Sequence, residues 1–153
     1  MSSTKKITLK SSEGKTFEVS EDVALESQTI KHMIKTNSGS DNEIVILNAK
    51  SKILAKVIEY CKKHVEARWE AEFVKVDRKV KKRVDDLKAW DAEFMKQVDL
   101  DTLNDLLLAA NYLNIKELLD LTCPAIVDAR RKDEQTFFVF LILFVSLMFF
   151  LLC

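Results

Sequence analysis

The spacing of apolar residues divides the chain into segments of different period. Ile7 and Leu9 alternate with polar neighbours, turn residues occupy Ser11 to Gly14, and Phe17 and Val19 alternate again. A period of two on either side of a turn predicts a short β-hairpin with one apolar face. Ser27 can cap a helix that runs through Thr36, since Ile30, Met33 and Ile34 share one helical face and serine oxygens accept from the first free helix N–H groups. Asn37 to Glu43 then reads as a loop. Ile44 to Leu47 is a short, unbroken apolar run with β-branched residues, which predicts a buried strand and not a helical turn.

From Ser51 the period changes to that of a helix, with Ile53, Leu54, Val57, Ile58 and Cys61 on one buried face. Glu66 to Asp86 is dense in charges of both signs, yet Trp69, Phe73, Val76, Val80 and Val84 recur at helical intervals. That segment reads either as an amphipathic helix extension or as a mobile charged linker, and the pattern leaves both open. Asp101 can cap a further helix whose stripe is Leu103, Leu106, Leu107, Ala110 and Leu113. Another should start at Lys116 with Leu118 and Leu119 inward. Pro124 falls where that helix would continue, and because an interior proline loses a backbone hydrogen bond at a cost of about 3 kcal/mol, a break or kink is expected there.

The last segment differs from all others. Phe137 to Cys153 has no charge, glycine or proline, and Ser146 is its one hydroxyl. As a helix it would reach roughly 25 Å, at the short end of a bilayer's hydrocarbon core. Its Phe, Leu, Ile and Val residues sum to roughly −4 to −8 kcal/mol of insertion free energy, an upper bound because the scale holds at the bilayer centre. Arg130, Arg131 and Lys132 lie just upstream, where the positive-inside rule places a cytoplasmic flank. A C-terminal membrane anchor is one expectation; a run never selected as protein sequence, such as translated non-coding sequence, is the other.

Charge removes some function classes. Lys plus Arg equals Asp plus Glu at 24 each, so no basic field favours nucleic acid. Lys79 to Arg83 is interrupted by valine and bordered by acids. Cys61, Cys123 and Cys153 are an odd and scattered set, which fits a reducing compartment. The N-terminal stretch MSSTKKITLK lacks the apolar core of a secretory signal.

Catalytic apparatus is not visible either. The chain has no phosphate-cradling glycine loop, serine elbow or metal-ligand cluster. Cys61 and His64 have C-x-x-H spacing, but two ligands do not make a zinc site. Cys61 is expected in the core, His64 at a helix end, His32 in solvent, and Asp85 with Asp86 on a solvated face. No cofactor and no catalytic residue is expected.

Five strings carry a family resemblance: Lys5 to Lys10 (KKITLK), Ala24 to Thr29 (ALESQT), Ser51 to Val65 (SKILAKVIEYCKKHV), Asp86 to Lys96 (DLKAWDAEFMK) and Leu108 to Cys123 (LAANYLNIKELLDLTC). In this order they resemble the S-phase kinase-associated protein family, especially its plant members. The resemblance implies an α+β chain: a POZ (BTB-like) three-stranded sheet with helices over 1–65, a charged linker or helix extension over 66–86, partial F-box-binding helices over 87–131, and the hydrophobic tail at 137–153. It implies a non-enzymatic adaptor of SCF ubiquitin ligases, in nucleus and cytoplasm, that joins a cullin to F-box proteins. The pair facing the cullin in that family corresponds here to Asn111 and Tyr112. Leu119, Cys123 and Ile126 correspond to the F-box side.

Departures from the family pattern concentrate on one interface. The family's LPN turn is Leu47, Asn48 and Ala49 here, which implies a looser corner. Asn104 stands where the family usually has a phenylalanine on the F-box side. After Cys123 the family continues with a polar helix, a glycine and proline turn and two further helices, whereas this chain gives Pro124 to Glu134 and then the apolar run. Retained cullin binding with weak or absent F-box binding is the expectation. The alternatives are a membrane-tethered POZ protein that holds or sequesters a cullin, and a non-functional truncated product.

Overall fold

The computed structural model describes the backbone of residues 5–36, 43–73 and 77–152, with side chains throughout these except 71–81 and 138–152. Most of the expected loop after Thr36 lies outside the described residues. Strands β1 (Lys6–Ser11) and β2 (Thr16–Ser20) form the antiparallel hairpin, with Ile7 opposite Val19 and Leu9 opposite Phe17. Gly14 closes its turn at φ +82°, a left-handed conformation that glycine enters without steric cost. Strand β3 (Glu43–Ile46) adds in parallel to β1, giving the order β2-β1-β3.

Helices cover one face of this sheet, so the strand expected at Ile44 to Leu47 is buried on one side. Ile44 and Ile46 enter the core, whereas Val45 and Leu47 point outward at 45% and 69% exposure. The outer face is otherwise polar and carries the pairs Lys6–Glu18 (3.2 Å) and Lys10–Glu43 (3.1 Å).

Six helices follow the described chain: α1 (Glu21–Ala24), α2 (Gln28–Thr36), α3 (Ser51–Phe73), α4 (Asp77–Lys96), α5 (Leu100–Leu113) and α6 (Lys116–Leu152). The predicted stripe on α3 is buried throughout, from Ile53 to Cys61. It packs on Ile7, Leu9 and Ile46 of the sheet and on Leu106, Ala109, Ala110 and Leu113 of α5 in one continuous core. Burial pushes the Cys61 thiol up to about 12, with the nearby Glu26 charge adding to the effect.

Between Glu66 and Asp86 the described residues are helical, in α3 up to Phe73 and in α4 from Asp77. Of the apolar stripe in this segment, Trp69 and Val84 stay outside the core, at 44% and 46% exposure. The contact between α3 and α4 is aromatic and lies further along. Across it Tyr60 meets Phe94 with ring centroids 6.2 Å apart, and His64 meets Trp90 edge-on at 6.5 Å. His64 therefore sits within α3 and not at a helix end, and its Nε2 meets Asp91 Oδ1 at 2.8 Å.

Three further expectations are corrected. The cap of α5 is Asp99, whose carboxylate accepts from the Thr102 N–H at 3.1 Å; Asp101 lies inside the first turn. The corner at Leu47 to Ala49 is tied down without its proline, since the Ala49 carbonyl accepts from the Ser12 N–H (3.0 Å) and the Ser12 hydroxyl (3.1 Å). Helix α6 passes through Pro124 without a break. Pro124 and Asp120 are both exposed, so water can bond to the carbonyl that the missing N–H leaves free.

Candidate functional site

Two surfaces on the α5–α6 pair hold the residues singled out from the sequence. The first is the C-terminal end of α5. A helix end leaves carbonyls without partners, and here α2 supplies hydroxyls to them. Ser27 Oγ donates to the Leu113 carbonyl at 2.6 Å, and Thr29 Oγ1 donates to the Tyr112 carbonyl at 2.8 Å. Asn114 follows in the left-handed conformation at φ +51°, its N–H directed to the carbonyls of Ala110 and Asn111.

Asn111 and Tyr112 thus stand on a corner fixed from two sides. Asn111 is exposed and Tyr112 is half-buried, its ring packed against the core edge. A tyrosine held this way loses little side-chain freedom on binding and offers both apolar area and a hydroxyl, as interface anchors do.

The second surface follows α6. Leu119 and Cys123 share a face, the first half-buried and the second exposed. Ile126 does not join them as an available contact: it is 8% exposed and lies with Leu118 and Thr122 on the inward side. The apolar area missing from the sequence reading comes from Leu108, 64% exposed on α5, and Val127, 55% exposed on α6. Leu108 could have been found from the sequence, since it is the member of the Leu106 to Leu108 run that falls off the buried stripe. Asn104, half-buried, lies one turn before Leu108 on the same helix.

No group of three or more His, Cys, Asp or Glu side chains among the described residues could hold a metal ion. His64 is engaged by Asp91, and Cys61 is buried and kept as the thiol. His32 is exposed. Among the described residues, no helix is long and apolar enough to cross a membrane. The tail at 137–153 falls largely outside them, because side chains beyond Phe137 are not described.

Comparison with known proteins identifies the family. The profile of the Skp1 family, tetramerisation domain, matches residues 5–66, which hold the whole sheet, α1, α2 and most of α3. SKP1-like protein 1A of Arabidopsis thaliana is 59% identical over 126 residues, 82% of this chain and 76% of that protein. SKP1-like protein 4 of the same plant is 58% identical over 132 residues, 86% of this chain and 79% of its own length. In rice (Oryza sativa subsp. japonica), SKP1-like protein 1 is 55% identical over 131 residues, 81% of this chain and 75% of that protein. With this identity spread over most of its length, the chain belongs to the Skp1 family, whose members are SCF ubiquitin ligase adaptors and not enzymes.

Proposed function

We propose that this chain is an SCF adaptor that keeps the cullin side of the family's function and has lost most of the F-box side. Cullin docking is assigned to the α5 corner at Asn111 and Tyr112. F-box contact is assigned to Leu119 and Cys123, with Leu108 and Val127 adding exposed apolar area and Ile126 backing that face from the buried side. The protein works in nucleus and cytoplasm, with a POZ part over 1–65 and an incomplete binding part over 87–131.

The observation that carries the cullin assignment is the double tie from Ser27 and Thr29, which holds the α5 end in place. The F-box assignment rests on two facts. Asn104 puts an amide where the family carries an aromatic anchor, and α6 runs on from Pro124 as a single helix through Leu152 where the family turns back. Few side chains remain there to enclose a partner, and hot-spot contacts need enclosure to exclude water.

Binding to an isolated cullin N-terminal domain and to an F-box peptide tests both halves. Wild type is expected to bind the cullin domain, and Tyr112→Ala to weaken that binding by about 10-fold or more, equivalent to about 1.4 kcal/mol. F-box affinity is expected to be far below that of a full-length relative and to rise in Asn104→Phe. Tight F-box binding by wild type would sink the proposed loss.

A second reading is favoured by the tail, whose residues from 137 to 152 continue α6 without a charged residue. In this reading the chain tethers or sequesters a cullin at a bilayer. Fractionation of a fluorescent fusion with and without residues 137–153 separates the two: a tail-dependent membrane fraction supports tethering, and identical soluble distributions exclude it. Low abundance that recovers on tail deletion, with no cullin binding, would instead mark a non-functional product.

A further inference from the structure

We propose that the free edge of β2 is a docking site for an extended segment of a partner protein, added as a fourth strand of the sheet. The ladder between β1 and β2 fixes which backbone groups of β2 face outward. Glu21 N–H bonds to the Lys5 carbonyl (2.9 Å) and Ser11 N–H to the Lys15 carbonyl (2.8 Å). With Lys6 opposite Ser20 and Lys10 opposite Thr16, the hydrogen-bonded pairs of an antiparallel ladder fall at alternate positions, so Phe17 and Val19 bond to β1. The N–H and C=O groups of Thr16 and Glu18 point the other way. No backbone or side-chain group among the described residues bonds to them.

An unpartnered edge alone is common, but this one opens into a groove. A cavity of about 450 Å³ lies between β2 and α3, lined by Lys6, Glu18, Ser20, Lys62 and Glu66 around Val19, Val23 and Val65. The three valines are buried and form an apolar floor. The volume falls in the usual range for ligand clefts of roughly 300 to 1,000 Å³.

These features together select an extended peptide. Its backbone repeats donors and acceptors every second residue, about 6.6 Å apart, which matches the spacing of Thr16 and Glu18. A side chain between two bonding residues drops onto the valine floor, and a small apolar one fits there. A second copy of this chain is disfavoured as the occupant. In-register antiparallel pairing of two β2 edges would set Glu18 against Glu18, and like charges directly opposite are destabilising. A partner strand with a lysine at that place instead brings a second cation to the exposed Glu18 carboxylate, which pairs with Lys6 at 3.2 Å on the outer face.

The test uses the full chain and the capped peptide acetyl-Thr-Val-Lys-Val-Thr-amide as the probe, followed by amide hydrogen exchange. Excess peptide is expected to slow exchange at Glu18 and Thr16 by about 10-fold or more, with Phe17 and Val19, already bonded to β1, unchanged. Glu18→Pro removes the outward donor without touching the ladder to β1, so this variant should keep its far-UV spectrum and lose the peptide. Ser20→Phe, which fills the groove and leaves every strand bond in place, should lose it too, which keeps the test decisive if the proline variant unfolds. Unchanged exchange at Thr16 and Glu18 in millimolar peptide, or undiminished binding by Ser20→Phe, overturns the proposal. A concentration-dependent dimer that protects the same two amides without peptide would overturn the choice of a foreign strand.

Discussion

Ser27 links two helices through one hydroxyl. It accepts from the Ile30 N–H at 3.1 Å as the cap of α2 and donates to the Leu113 carbonyl at 2.6 Å, at 2% exposure. Ser27→Ala would leave a buried donor and a buried acceptor without partners, which costs about 1 to 3 kcal/mol. The unfolding free energy measured in urea should fall by that amount, through a lower midpoint at unchanged m value, and a loss below about 0.5 kcal/mol would mean that water replaces both bonds. Cys61 supports a second expectation at this scale. Its thiol is buried and pushed up to about 12, whereas Cys123 is exposed. In native protein a thiol reagent at neutral pH should therefore modify the peptide that contains Cys123 and spare the one that contains Cys61, because the reactive thiolate is scarce and out of reach. Denaturant should abolish that difference.

At the scale of elements, carboxylates start both α3 and α5. Glu13 reaches across from the hairpin turn to accept from the Ser51 N–H at 2.8 Å, and Asp99 accepts from Thr102 at the N-cap of α5. Hydrogen bonds from Ser51 hold the Glu13 carboxyl below its ordinary value, and those from Thr102 do the same for Asp99. A carboxyl with a depressed native value stabilises the fold at pH above its unfolded value, and that contribution disappears as pH falls through the native one. The Tm advantage of wild type over Glu13→Gln/Asp99→Asn should thus be constant above about pH 5 and vanish in stronger acid, given ordinary carboxyl values near 4. A constant advantage at every pH would point to packing instead. These caps also show what the sequence could and could not reveal. The helices of the α3, α5 and early α6 stripes were legible because each buries a periodic apolar face. Glu13 was not, since it caps a helix that begins 38 positions later, and no local pattern records such a partner. Asp99 and Asp101 are both good caps within one turn, and the choice between them depends on where Leu103 and Leu106 must point. The one-sided burial of β3 was hidden because an unbroken apolar run reads the same whether one face or both are covered. The Asn111 and Tyr112 corner came from family resemblance, whereas the hydroxyls that fix it lie more than 80 positions away.

Across the whole molecule, the core and the tail are separable along α6. Ile126 is the last buried apolar side chain among the described residues, and from Arg130 to Phe137 every residue is exposed. Between Ile126 and Phe137 the helix therefore contributes little to the packing that makes the body fold, since burial of apolar area supplies most of that stability. The α5 corner and the β2 edge both lie within the part that precedes it. Deleting residues 137–153 should leave the unfolding midpoint within about 2 °C of the full chain, well under the shift of roughly 4 to 8 °C expected for each kcal/mol lost in a domain of this size or smaller. Cullin affinity should be unchanged on the same grounds. What should change is self-association: a segment this rich in Phe and Leu favours association through its apolar side chains, so the full chain should scatter light or require detergent where the shortened one does not. Thermal scans with parallel light scattering check both halves. A cooperative transition that shifts markedly on deletion would show that the tail packs back onto the body, and would require the exposed face of Leu108 and Val127 to be considered as its seat.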